Sequence, residues 1–142
     1  MKYTELKNKQ EKEMNKFPMF FAFSNEQFKE GLEELGLTLN DKNKLYGTGC
    51  GGYYLKTDSQ KLSNLIDQHA EEMKNEIKKD TTGDGFIFSM FDYELSNHEY
   101  CVTHDFGPTL EALGLSIEEI NNSKSLLNGL KLAVKNNQEE SW

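Results

Sequence analysis

Proline is scarce in this 142-residue chain, at 2 residues, and so are cysteine, at 2, and histidine, at 3. Few prolines leave helices unbroken, so a helix-rich fold is expected. Cys50 and Cys101 stand alone with no Cys-x-x-Cys, so neither a zinc module nor a disulfide framework is indicated. No apolar run approaches the length of a membrane span. The opening Met-Lys-Tyr-Thr-Glu-Leu-Lys has no apolar signal region. A cytoplasmic protein with reduced thiols is therefore expected. Positive charge is also short, 16 Lys and Arg against 24 Asp and Glu, for a net charge of -8. That deficit argues against nucleic-acid binding, which needs basic side chains to displace counterions. It equally disfavours an anionic membrane surface. It suits solubility, and it suits an acidic protein that competes for a basic groove on a protein partner.

What the chain does have is enough apolar and aromatic surface to fold, with 36% hydrophobic residues, 9 Phe and 6 Tyr. Global disorder is excluded on that ground. The length suits one domain, residues 1–142. The most aromatic stretch runs from Asp84 to Glu99. Ile87, Met90, Phe91 and Leu95 share one face at helical spacing, which predicts the central helix.

Tyr3, Leu6, Gln10, Met14 and Phe17 form a narrow apolar seam on a charged first helix that stops before Pro18. Met19-Phe-Phe-Ala-Phe23 reads as a short buried strand. Ser24-Asn-Glu-Gln27 and Ser116-Ile-Glu-Glu119 are capping boxes that open helices. The first of these helices buries Phe28, Leu32 and Leu35 and stops at Gly36. Leu45-Tyr46 and Tyr53-Tyr-Leu-Lys56 flank Gly47-Thr-Gly-Cys-Gly-Gly52 as a glycine-rich hairpin. No Gly-Lys-Ser/Thr follows those glycines, so they do not form a phosphate loop. Leu62, Leu65, Ile66, Ala70, Met73 and Ile77 predict the buried stripe of the longest helix, with His69 inside it. Thr81–Gly85 is a turn. Tyr100-Cys-Val-Thr103 is expected as a short strand near residue 101. Leu126, Leu127, Leu130 and Val134 mark the last helix, and a polar tail from Asn136 to Trp142 is expected to fray. Few strands among many helices give an α+β class with a small sheet.

Glu94 and His98 lie four residues apart within the central apolar stripe, and His69 lies in the stripe of the long helix. Such a trio can hold a small ligand or a metal ion, or serve acid–base chemistry. The pattern matches no metal motif, and a buried pair that satisfies itself explains Glu94 and His98 as well. No metal, cofactor or catalytic residue is therefore assigned. Cys101 lies near His98 and His104, but no Gly-x-Ser-x-Gly turn is present, and Tyr-Cys-Val suits a small buried side chain. His104-Asp105 is too short to define a phosphohydrolase site. Glu30, Glu33 and Glu34, with Glu71 and Glu72, are the acidic clusters that offer a partner surface.

Lys2-Tyr-Thr-Glu-Leu-Lys7 and Phe17-Pro-Met-Phe-Phe-Ala-Phe-Ser-Asn-Glu-Gln-Phe28 resemble the opening of a family of small uncharacterised proteins from phages and bacterial mobile elements. Thr82-Gly-Asp-Gly-Phe86, Tyr93-Glu-Leu-Ser-Asn-His-Glu-Tyr100 and Thr109-Leu-Glu-Ala-Leu-Gly-Leu115 resemble its later blocks. The likeness covers nearly the whole chain. It implies a phage or mobile-element origin and an accessory role, and it carries over no catalytic residues.

The expectation is a small, acidic, non-enzymatic protein that binds a protein or signalling molecule and inhibits a host defence system. A small enzyme or ligand-binding module using Glu94, His98 and His69 is the alternative. A self-associating protein, dimerised through the first helix and Phe17–Phe23, is the third.

Overall fold

The computed structural model describes residues 1–98, 100, 105 and 107–139. It is a helix-rich α+β fold with one three-stranded antiparallel sheet. The elements are α1 (Tyr3–Asn15), β1 (Met19–Phe21), α2 (Asn25–Glu34), β2 (Leu45–Gly47), β3 (Gly52–Leu55), α3 (Ser59–Lys79), α4 (Phe86–Asn97), α5 (Gly107–Leu113), α6 (Ile117–Asn121) and α7 (Lys124–Glu139). Short 3-10 turns at Leu39–Lys44 and Lys56–Asp58 precede β2 and α3. The backbone forms two compact units. One comprises Met1–Lys9 and the chain from Glu71 onward; the other is Gln10–Ala70.

The first unit is built around α4. Ile87, Met90, Phe91 and Leu95 are fully buried, as their helical spacing predicts. They pack with Tyr3 and Leu6 of α1, Leu110 of α5, Ile120 of α6, and Leu126, Leu130 and Ala133 of α7. Burying a large apolar side chain contributes roughly 1.5–3 kcal/mol, so this cluster dominates the unit's stability. α7 packs closely against the start of α4 and the turn before it. A methyl group added at Gly129 would lie 2.4 Å from Ile87 Cγ2. Gly83, at φ +89°, leaves no room for one beside the Ser125 carbonyl.

The turn before α4 is organised by Asp80. Its carboxylate accepts hydrogen bonds from the backbone N–H groups of Gly83 (2.8 Å), Gly85 (3.0 Å) and Ile87 (3.0 Å). These are donors that the open helix start and its turn would otherwise leave unsatisfied. Burial pushes the Asp80 carboxyl up, but the N–H bonds outweigh it and hold the group below its ordinary value. At the other end, α7 runs on through Asn136 and Asn137, where polarity predicts fraying. Asn137 is buried, with its amide bonded to Asp92 (3.0 Å) and to the Ala133 carbonyl (2.8 Å). Those bonds satisfy a polar group that would otherwise oppose burial.

In the second unit the strand order is β1-β3-β2. Phe20, Ala22, Leu32 and Leu45 form its core, with Phe28, Leu35, Tyr53 and Leu55 against them. The hairpin stands where the glycine-rich stretch predicts it, with Leu45 opposite Leu55 and Tyr46 opposite Tyr54. Ser24 caps α2 by accepting from the Gln27 N–H. Gln27 reaches back one residue further than the box predicts, to the N–H of Phe23 (2.7 Å).

Two expectations require correction. Met19–Phe23 is not a buried strand: successive side chains alternate across the sheet, so Phe20 and Ala22 enter the core on the face that α2 covers, and Phe21 and Phe23 are left exposed on the other. The α3 stripe is not buried either. Leu62, Leu65, Met73 and Ile77 are half-buried, and Ile66 and Ala70 are exposed. Helical spacing sets which residues share a face, but not how deeply that face is covered. The strand expected near residue 101 falls on Cys101–Thr103, outside the described residues, as do Glu99, His104 and Trp142; Tyr100 itself is helical and buried.

Candidate functional site

Glu94 is the most deeply buried carboxylate among the described residues, 3% exposed. Three side chains converge on it within the first unit. The Tyr3 hydroxyl donates to Oε1 at 2.6 Å, and the Lys7 ammonium donates to the same oxygen at 3.1 Å. His98 Nε2 lies 3.4 Å from Oε2. Lys7 also sits over the Tyr93 ring, 4.7 Å from its centroid, a cation–π contact that holds the ammonium in place. Tyr3 and Lys7 are one turn apart on α1, so both face the same carboxylate.

The electrostatics follow from that geometry. Burial pushes the Glu94 carboxyl up, but hydrogen bonds from Tyr3 and Lys7, with the charges of Lys7 and His98, bring it below its ordinary value. Burial, then the hydrogen bond to Glu94 and its charge, raise the Tyr3 phenol far above its own. The carboxylate therefore stays ionised and the phenol stays protonated. A general acid needs the opposite, a carboxyl raised toward neutral pH. The cluster is built as a clasp that fastens α1 to α4.

Sequence spacing places Glu94 and His98 together, as observed. His98 is the C-cap of α4, where the helix ends, and its side chain keeps 30% of its exposure rather than joining the core. His69 belongs to the second unit, with its Nε2 3.4 Å from Glu13 Oε1. Tyr3 and Lys7 were not legible as partners of Glu94, because 91 and 87 residues separate them from it. The only signal was the place of Tyr3 in the α1 seam.

The acidic candidates divide between the units. Glu71 and Glu72 lie on α3 in the first, where Glu72 pairs with Lys9 at 2.6 Å. Glu30, Glu33 and Glu34 are exposed on α2 in the second. Beside them is a groove of about 360 Å³ between β1 and α2. Met19, Phe20, Phe21 and Phe23 line one side, and Gln27, Glu30, Gly31 and Glu34 the other. Gly31 makes the close packing of α2 on β1 possible: a methyl group there would fall 2.0 Å from the Phe20 ring. Phe21 and Phe23 are 59% and 77% exposed. Among the described residues no lysine neutralises Glu30 or Glu34. Single exposed apolar residues are ordinary, but two phenylalanines at and just beyond the end of β1, beside unpaired carboxylates, make this an amphipathic groove.

Fold and site together define a small helix-rich α+β protein with a clasped N-terminal helix and an open groove at its sheet edge. The chain belongs to a family of unknown function, DUF7659, whose model matches residues 2–136. No curated protein and no solved structure matches it. No helix among the described residues is long and apolar enough to cross a membrane.

Proposed function

We propose that this is a small acidic binding protein of phage or mobile-element origin. It acts in the cytoplasm by holding a protein of a host defence system and so inhibiting that system. The observation that carries the binding reading is the β1–α2 groove, where Phe21 and Phe23 are exposed beside Glu30 and Glu34. The origin rests on the sequence blocks at Phe17–Phe28 and Tyr93–Tyr100. The enzyme alternative rests on the proximity of Glu94 and His98, and it is weakened because Tyr3 and Lys7 already occupy one oxygen of Glu94.

The test is affinity purification of the tagged chain from bacteria that carry defence systems, with phage plating on the same hosts. The reading expects one defence protein to co-purify and phage plating to rise when the chain is expressed. Normal restriction of phage, with no protein retained above background, would refute it.

A further inference from the structure

The partner's chemistry can be read from the edge of β1, and this inference rests on the binding reading above. Ala22 donates its N–H to the Gly51 carbonyl at 2.8 Å. Phe20 opposes Tyr53 in the same register. In an antiparallel ladder, hydrogen-bonded and non-hydrogen-bonded pairs alternate. Phe20 and Ala22 therefore turn their backbone groups toward β3, and Met19 and Phe21 turn theirs away from it. Among the described strands β1 is the last on its side. The N–H and C=O groups of Met19 and Phe21 thus face the groove as an unpaired template.

The two walls of the groove differ. α2 packs on the face that holds Phe20, and it sets Glu30 and Glu34 one helical turn apart along the groove. On the opposite face stand the rings of Phe21 and Phe23. A strand added here would place alternate side chains on the two faces. We infer that the groove binds an extended segment of a partner protein as a fourth strand. The segment alternates basic and apolar side chains, with Lys or Arg toward Glu30 and Glu34 and apolar groups over Phe21 and Phe23. Main-chain hydrogen bonds supply affinity in such strand addition and the alternating side chains supply specificity. A second copy of this chain fits less well. A two-fold pairing of β1 with β1 would bring the same carboxylates of both copies together, and like charges oppose it.

The test uses a fluorescent peptide of about six residues alternating lysine and valine, titrated with the full-length protein and read by anisotropy. A control peptide has glutamate in place of lysine, and a second carries a central proline. Binding of the first alone is expected, weakening as salt rises. The double variant Glu30→Gln/Glu34→Gln should lose about tenfold or more in affinity. Phe21→Pro removes an outward N–H without touching a ladder bond, so the sheet should stay folded. It should bind more weakly than Phe21→Ala, which removes only the ring. Equal binding by all these variants, or equal binding of the proline peptide, would overturn the strand-addition model. A concentration-dependent dimer abolished by Phe21→Pro would overturn it too, by giving the groove to a second copy. If a defence protein co-purifies unchanged by the groove variants, the binding reading stands and this inference fails. If the peptide binds but phage plating is unaffected, the inference stands and the defence reading fails.

Discussion

The Tyr3 hydroxyl donates a 2.6 Å hydrogen bond to Glu94, 91 residues further along the chain. Tyr3 and Glu94 are both buried, and with Lys7 they fasten α1 to α4 through a carboxylate kept ionised inside the first unit.

Tyr3→Phe keeps the ring and deletes only the donor. It should destabilise the protein by about 1.5–3 kcal/mol, the range for a hydrogen bond to a charged group. Urea denaturation gives the value, and a variant as stable as the parent would mean that Lys7 and His98 alone satisfy Glu94. Among the 6 tyrosines, one phenol should resist ionisation until the protein unfolds, because the raised value of Tyr3 favours its protonated form. Its stabilisation is present below the ordinary phenol value of about 10 and is lost as pH climbs through the folded value. Ultraviolet titration of the parent and of Tyr3→Phe would expose that late group and its loss.

Glu94 works in the opposite direction. Its folded value is lowered, so its stabilisation is present above the ordinary carboxyl value of about 4.3 and is lost as pH falls through the folded value. Asp80 has the same sign. The parent should therefore lose stability on the acid side. Glu94→Gln should be less stable at neutral pH, with a shallower acid slope below about pH 4.3. An unchanged slope would show that the carboxylate does not stay ionised on folding.

Gly83→Ala and Gly129→Ala both press on the α4–α7 contact. The first meets the Ser125 carbonyl and a positive φ, the second the Ile87 side chain. Each should cost about 1–3 kcal/mol, the first more, since its backbone contact is the closer, 2.0 Å against 2.7 Å from a methyl group at Gly129 to the Gly83 carbonyl oxygen, and its φ is positive as well. Thermal melts read this directly, and a neutral Gly83→Ala would contradict the observed approach.

Phe20 and Phe21 are neighbours with opposite fates. Phe20 is buried and Phe21 exposed. Phe20→Ala should cost about 3–5 kcal/mol, while Phe21→Ser and Phe23→Ser should each stay within about 0.5 kcal/mol of the parent. Equal losses at positions 20 and 21 would mean that both faces of β1 are covered.

The elements legible in the sequence are those that local chemistry decides. The α4 stripe of Ile87, Met90, Phe91 and Leu95 carries its period in four residues. Ser116 and Glu119 reciprocate across one turn, as their spacing requires. The glycines after Tyr46 mark the hairpin. The clasp on Glu94 was legible only in its His98 half, because Tyr3 and Lys7 reach it through packing that leaves no local signal. The groove was hidden for a related reason. Met19–Phe23 has the composition of a buried strand, and only the strand order puts β1 at an edge. The acidic residues at Glu30 and Glu34 were evident as candidates, but their unpaired state depends on where α2 comes to lie.

The most direct measurement of the central claim is residue-resolved amide exchange, with and without the alternating lysine–valine peptide. In the free protein the Phe21 N–H should exchange quickly, while the Ala22 N–H, bonded to Gly51, is protected. Saturating peptide should slow exchange at Met19 and Phe21 by about tenfold or more and leave the amides around Glu94 unchanged. A Phe21 amide that exchanges as fast with peptide as without it would contradict the account.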